Sequence, residues 1–296
     1  MYDLAIIGAG VIGSALAYTL SAYDLRILLI EKENDVAMGA SRANTALIHA
    51  GFDPLSESLM GQLNVEGMRR CYELCRELDV EHRNTGAMVL AFSKEEEETL
   101  EVLFQRGLAN GCRGLEIISG QAAREKEPHL SGEVFAALWA PEAGVINPWE
   151  FTLAMAEVAV RNGAELRLNT EVTGLAREGT VWRIETGGED RGIRARFLVN
   201  AAGVESDRIH NMAAPPAFQI LPTRGQYYLL DRTVGPLVHS ILFNTPTRAG
   251  KGVTVSPTIH DNFLIGPDSE IICDRTDTGV TRSALDEIAR LARRII

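Results

Sequence analysis

The sequence is poor in the features that mark several protein classes. Its 29 lysines and arginines are outnumbered by 40 aspartates and glutamates, giving a formal net charge of −11, and no stretch gathers basic residues into a run. A nucleic-acid binder needs a basic face to neutralise phosphates, so no nucleic-acid partner is expected. No apolar run approaches the roughly 20 residues that span a bilayer, so no transmembrane segment is expected either. The apolar N-terminus, "LAIIGAG", lacks a basic n-region and breaks into glycines at once, so no signal peptide and a cytoplasmic protein are expected. Four cysteines, Cys71, Cys75, Cys112 and Cys273, form no CxxC and no paired metal spacing. Free thiols and no metal site are the expectation. Cys71 and Cys75 stand one helical turn apart, within reach of a common ligand, but no second pair accompanies them. Neither a low-complexity linker nor an internal repeat interrupts the chain.

What is present begins with size and a turn. With 296 residues, 46% of them apolar, the chain is long enough for two packed domains or one large domain with an insertion. "YDLAIIGAGVIGSALAYTL" is a short apolar run, then Gly8, Gly10 and Gly13 in GxGxxG spacing, then an alanine- and leucine-rich helical pattern. Such a strand, turn and helix lets Gly8 turn tightly, Gly10 admit a pyrophosphate to the backbone, and Gly13 pack the helix closely on the strand. Val11 and Ile12 open the helix whose positive end faces the phosphates. A second strand pattern, "LRILLIE", ends in Glu31, twenty-one residues after Gly10, where an acid accepts hydrogen bonds from an adenosine ribose; Lys32 follows it. The bland alternative is that the glycines serve only as turn residues.

NAD and FAD both suit that βαβ pattern, and the next segment separates them. An NAD domain proceeds to another helix and strand, whereas this chain runs from "EKENDVAMG" into "GASRANTALIHAG", residues 39–51, which is rich in small residues and side-chain donors. "IIGAGVIGSALAYTLS", "LLIEKE" and "GASRANTALIHAGF" together resemble the N-terminus of the D-amino-acid oxidase (DAO) superfamily of flavoproteins, in its glycerol-3-phosphate dehydrogenase and L-2-hydroxyglutarate oxidase branch. That resemblance implies FAD as cofactor. It implies that Ser41, Arg42, Asn44, Thr45, Ala46 and Leu47 line the ribityl chain and ring edge, and that His49 faces the substrate side. It further implies that Val172 gives backbone contacts to the adenine, and that Ala201, Ala202 and Gly203, ending "FLVNAAG", approach the ADP moiety. A plain core strand with a turn is the alternative for that last segment.

The remaining chain suggests an architecture. "NPWEFTLAMAEVAVRNG" predicts a helix with Asn147 as N-cap, Pro148 at its first position, Glu150 in its first turn and Asn162-Gly163 closing it. Residues 85–92 and 134–140 read as strands around the acidic helical run "SKEEEETLEVLFQRGLANG", and residues 215–231 and 250–267 as short alternating strands of an antiparallel sheet. The expected fold is α/β: a doubly wound, Rossmann-like FAD-binding domain of the glutathione-reductase type, 1–80 plus 145–210, with a mixed, largely antiparallel substrate domain inserted, 81–144 plus 211–285. Residues 286–296 read as a truncated helix returning toward the FAD domain. Relatives in the resembled family run on past this point, which leaves a truncated chain, a degenerate paralogue, or a subunit whose site another polypeptide completes as the expectations.

In such flavoproteins the flavin takes a hydride, so the protein needs a base and a fixed cation. His49 is the candidate base, with a backbone-bonded histidine beneath the cofactor as the alternative. Arg224, in "LPTRGQYY", is the candidate clamp for a small anionic substrate. Of Tyr227 and Tyr228, at most one faces a pocket. The expected activity is oxidation of a small 2-hydroxy acid or glycerol 3-phosphate. Amine or amino-acid oxidation and a non-catalytic FAD-binding subunit remain open alternatives, as does the electron acceptor.

Overall fold

A computed structural model describes residues 1–187, 192–234, 236–246 and 252–296. The first two residues of the strand segment expected over 250–267 lie outside the described residues. The chain opens with β1 (Tyr2–Ile7), α1 (Val11–Leu20) and β2 (Ile27–Ile30). Next come β3 (Leu47–Ile48), α2 (Leu59–Glu77), β4 (His82–Asn84), β5 (Ala87–Ala91), α3 (Lys94–Ala109), β6 (Glu116–Ser119), α4 (Gly120–Lys126), β7 (Ala136–Ala140) and β8 (Gly144–Ile146). Then follow α5 (Pro148–Arg161), β9 (Glu165–Arg167), β10 (Val172–Glu178), β11 (Val181–Thr186), β12 (Ile193–Asn200) and α6 (Ser206–Ala213). The last elements are β13 (Thr223–Arg224), β14 (Tyr228–Leu230), β15 (Ile241–Asn244), β16 (Thr254–Pro257), β17 (Phe263–Gly266), β18 (Glu270–Ile271) and α7 (Arg282–Ala292). No helix among the described residues is long and apolar enough to cross a membrane.

Two compact units result: residues 1–44 with 148–222, and residues 45–147 with 223–296. The first is a doubly wound α/β unit around a sheet ordered β10-β11-β12-β1-β2-β9, in which β12, β1, β2 and β9 run parallel. A strand alternates its side chains between faces, and β1 feeds two cores in this way. Leu4 and Ile6 pack with Ala17 of α1 and with Ala156 and Ala159 of α5, while Ala5 and Ile7 pack with Ile184 and Ile209 on the opposite face. α5 begins at Pro148, and its end is closed by Gly163 at φ +102°, whose N–H donates to Val160 O, with Ala164 N–H on Ala159 O. This is the Asn-Gly closure that the sequence predicts.

In the second unit the main sheet is ordered β14-β17-β16-β15-β5-β7-β6, antiparallel except for the β5–β15 pair. The acidic run forms α3, capped by Ser93, whose side chain accepts from the Glu96 N–H. Its three first-turn glutamates suit the positive end of the helix dipole.

The boundaries differ from those expected in four places, two of them short: residues 145–147 fall in the second unit and residues 211–222 in the first. Residues 45–80 belong to the second unit rather than to the nucleotide-binding one: β3 pairs with β8, and Tyr72 of α2 donates its hydroxyl to the Glu142 carbonyl just before β8 at 3.0 Å. The C-terminal helix also stays in the second unit instead of returning to the first. Ile288, Ala292 and Ile295 are buried with Leu242, Val255 and Phe263, and the Ile295 carbonyl accepts from Ser131 N–H at 2.8 Å.

Two consequences are testable. A Cβ on Gly13 would collide with the Gly8 carbonyl oxygen. Gly13→Ala is therefore expected to destabilise the protein by about 1–3 kcal/mol, which outweighs the gain of roughly 0.5–1 kcal/mol that alanine brings inside a helix. Urea unfolding reads the sum, and unchanged stability would refute the contact. The Cys112 thiol donates to Ala50 O at 3.0 Å, and burial, with the Glu142 carboxylate next, pushes its pKa up from 9.0 to about 11. The unfolded thiol ionises first, so this group's stabilisation is complete below pH 9 and is lost as pH rises toward 11. The loss is on the order of 2 kcal/mol. Cys112→Ala is expected to flatten the fall in melting temperature across that window, and an unchanged slope would exclude the assignment.

Candidate functional site

In the first unit, the glycine turn and the start of the 39–51 loop meet at the end of β1. Gly8 sits at φ +100°, a backbone region that glycine occupies freely, and its N–H donates to Ile30 O at 2.8 Å. A side chain there would strike the Ala201 carbonyl and Ala202, so the strand end after β12 backs the turn. Ala201 N–H in turn reaches Ile7 O at 2.8 Å, and Gly203, at φ +56°, bends the chain away. Gly10 is the N-cap of α1 and has no side chain to cap with; Ser41 Oγ supplies the acceptor, taking the Val11 N–H at 2.9 Å. The N–H groups of Ile12 and Gly13 point out of the helix end with no acceptor among the described residues, and no acid occupies the first turn. Such a helix end is an anion cradle. Ile12 stands beside it with its side chain 69% exposed.

Glu31 holds this turn from below. Its Oε2 accepts the Ala9 N–H at 2.8 Å and its Oε1 the Glu33 N–H at 3.0 Å. Lys32 is exposed and pairs with Glu33 at 3.9 Å. The N–H groups of Asn169 and Thr170 donate to the Glu33 and Glu31 carbonyls at 2.8 Å, which lays the approach to buried Val172 alongside Glu31. Asn44 Nδ2 bonds the carbonyls of Ala40 and Ser41, closing the loop on itself, and Trp149 Nε1 donates to Arg42 O at 3.1 Å. The Arg42 side chain itself is exposed.

The second unit carries Thr45, Ala46, Leu47, His49 and Arg224. Ala46 adopts φ +56° and its carbonyl accepts the Ile146 N–H at 3.0 Å, while Leu47 pairs with Val145. Thr45 hydrogen-bonds Tyr227, whose hydroxyl is pushed up by burial, and Tyr228 packs against the core. His49 follows β3, is exposed, and stacks on Phe243 of β15 with 5.8 Å between ring centroids at 29°.

Arg224 is engaged by the chain's own carboxylates. Its guanidinium is only 10% exposed and is already committed, donating to Glu270 at 2.7 Å and to Asp277 at 2.6 Å. Those carboxylates hold its pKa above the ordinary arginine value, Glu270 most strongly. It is an internal ion triad across β13 and β18 rather than an open clamp for a substrate. Beside it, Gln226 is 1% exposed and bonds Asp268, Glu270 and Thr281. The sequence reading missed this glutamine, because nothing in "RGQYY" distinguishes a buried amide from a strand-surface one.

Comparison with known proteins identifies relatives of the whole chain. The model of the family described as DAO, FAD dependent oxidoreductase, matches residues 3–296. A glycerol 3-phosphate dehydrogenase of Caloramator mitchellensis is 45% identical over 296 residues, covering 100% of this chain and 61% of the relative. An L-2-hydroxyglutarate dehydrogenase of Escherichia coli is 33% identical over 282 residues, 93% of this chain and 65% of its own. Dithionite-reduced L-alpha-glycerophosphate oxidase from Mycoplasma pneumoniae, solved with FAD bound, superposes with a TM-score of 0.90 at 30% identity, covering 100% of this chain and 78% of that one. The chain thus spans a little under two thirds of the length of the two curated relatives.

Glu31→Ala removes a charged acceptor from the turn and from any ribose beside it. FAD affinity is expected to fall by about 1.5–3 kcal/mol, roughly 10- to 150-fold, in titrations of the two apoproteins. Equal affinity would mean that Glu31 serves neither role.

Proposed function

We propose, for a chain that belongs to the DAO family of FAD-dependent oxidoreductases, that it oxidises the hydroxyl-bearing carbon of a small anionic substrate, glycerol 3-phosphate first among them. The observation that carries the reading is the cradle formed by Gly8, Gly10 and Gly13, tied down by Glu31 and capped by Ser41. Its residues fit FAD. Two first-turn N–H groups lack acceptors, no acid competes for them, and Glu31 keeps lone pairs beyond the two already engaged. Val11, Ile12, Ala201, Ala202 and Gly203 would border the dinucleotide, and Arg42, Asn44, Thr45, Ala46 and Leu47 the remainder of the cofactor. The 45% identity with a protein named for glycerol 3-phosphate supports the substrate, and the 33% identity with one named for L-2-hydroxyglutarate keeps a 2-hydroxy acid as second reading.

When bound, FAD supplies the hydride acceptor. The protein's own part is to orient the substrate and take the hydroxyl proton. His49 is the group we assign to that proton, since its imidazole is exposed while its ring is anchored against Phe243. Arg224 contributes indirectly, by ordering the segment around β18. A cytoplasmic location suits the four free thiols.

The test is anaerobic mixing of the FAD-loaded protein with glycerol 3-phosphate, L-2-hydroxyglutarate, lactate or glycine. Bleaching of the oxidised flavin is expected to be fastest with glycerol 3-phosphate. Fastest bleaching by glycine would establish amine oxidation instead, and none with any substrate would leave a binding subunit. His49→Ala is expected to slow bleaching about 100-fold or more with little change in FAD affinity. A rate within a factor of about two of the wild type would remove His49 from the proton transfer.

A further inference from the structure

The second unit holds a cavity of about 550 Å³ that none of the roles above uses. It lies at the end of the main sheet where β14 leaves, β15 enters and β16 turns into β17. Its floor is apolar, formed by the core residues Val238 and Phe263. Its walls carry Arg83, Arg232 and His239 against one carboxylate, Asp261. In a chain of net charge −11, a cavity with two guanidinium groups and one acid runs against the average surface.

The donors there are held in place but not used up. Arg83 gives one N–H to Asp261 at 3.0 Å and another to Ile259 O at 3.3 Å, which fixes its plane across the β16–β17 turn and leaves three of a guanidinium's five donors. Arg232 and His239 are exposed, and the charge acting on the Arg232 guanidinium is that of the neighbouring Asp231 carboxylate, with no side-chain hydrogen bond from Arg232 or from the His239 ring among the described residues. The His239 backbone, in contrast, is locked. Its N–H donates to both oxygens of the buried Glu127 carboxylate at 3.0 Å, and the Ser240 N–H adds a third bond at 2.5 Å. A positioned backbone beneath an uncommitted ring, next to uncommitted guanidinium donors, is preorganisation for an anion.

We propose that this cavity binds a small organic phosphate, with the phosphate on Arg232, His239 and the remaining donors of Arg83, and its carbon body on Val238 and Phe263. One bidentate arginine satisfies a carboxylate, whereas donors from three separate segments suit the three terminal oxygens and the charge of about −1.5 to −2 of a phosphate monoester. The volume falls within the range of small-molecule sites, roughly 300–1,000 Å³, and leaves room for an apolar body beyond the phosphate. The proposal does not depend on the oxidation assigned above.

Calorimetric titration of phenyl phosphate into the protein, with excess FAD present, tests it. Saturable binding is expected, tighter than that of inorganic phosphate and absent for phenol. Arg232→Gln is expected to weaken it at least about tenfold, the loss of a charge-assisted hydrogen bond, and His239→Gln to weaken it less. Asp261→Asn, which removes the competing carboxylate, is expected to tighten it. Glu31→Ala is expected to leave it unchanged, which separates this cavity from the glycine turn, and circular dichroism checks that each variant is folded. Absence of saturable binding to the wild type, affinity for inorganic phosphate equal to that for phenyl phosphate, or unaltered binding in both Arg232→Gln and His239→Gln would each overturn the proposal.

Discussion

The Glu31 carboxylate fixes the geometry of the glycine turn, and the nucleotide-binding unit is built outward from it. By accepting the Ala9 and Glu33 N–H groups, it joins the turn after β1 to the segment after β2 through charge-assisted bonds. The Ala9 carbonyl is tied to the same segment, accepting the Ala37 N–H at 3.0 Å. Ala9 is thus held at both of its backbone groups, and the register of β2 against β1 determines where α1 starts. Close approach then constrains the rest: a Cβ at Gly13 would hit the turn, and one at Gly8 would hit Ala201. The glycines are required by neighbouring backbone as much as by any ligand.

The second unit has a corresponding anchor, also a carboxylate satisfied by backbone N–H groups. Glu127 is 1% exposed and receives the N–H groups of His239 and Ser240, residues more than a hundred positions along the chain. Burying an ionised carboxylate is costly unless hydrogen bonds replace its water, and here they come from the strand entry itself. Those bonds place the start of β15, which pairs in parallel with β5 across roughly half of the sequence.

These two carboxylates also show why one unit was legible in the sequence and the other was less so. Glu31 stands at a fixed distance from a glycine pattern, so its partner could be named from spacing. Glu127 sits in "AREKEPHL", where it reads as one more acid at the end of a surface helix, because its partners are set by a long-range pairing that no local period encodes. The same reason explains the misplaced boundaries. Leu47 and Ile48 are too short a strand to declare a partner, so the sequence alone groups residues 45–80 with the loop that precedes them. The apolar stripe of α7 at Ile288, Ala292 and Ile295 was visible, but not the sheet it covers. The capping signals were legible because they act within one turn: Gly163 after α5 needed no tertiary context.

Arg224 marks the limit of inference from residue type. A guanidinium after a strand, in a protein expected to bind an anion, invites a substrate role, yet a cation inside an acidic chain is also what its own carboxylates require. Asp268, Glu270 and Asp277 converge on the segment from Arg224 at the end of β13 to Gln226 just beyond it, and Arg224 is the cation that pairs with two of them while Gln226 bonds the third. Removing the charge would leave those acids facing one another over a buried amide, and like charges at that range repel. The same Gln226 accepts the Thr281 N–H, and Thr281 caps α7 through the Ala284 N–H. The triad therefore orders the route from β18 to the helix that covers the core. A lysine could not replace it, because two carboxylates on separate segments are met by two arms of one planar fork, and a single ammonium on a flexible stem lacks that geometry.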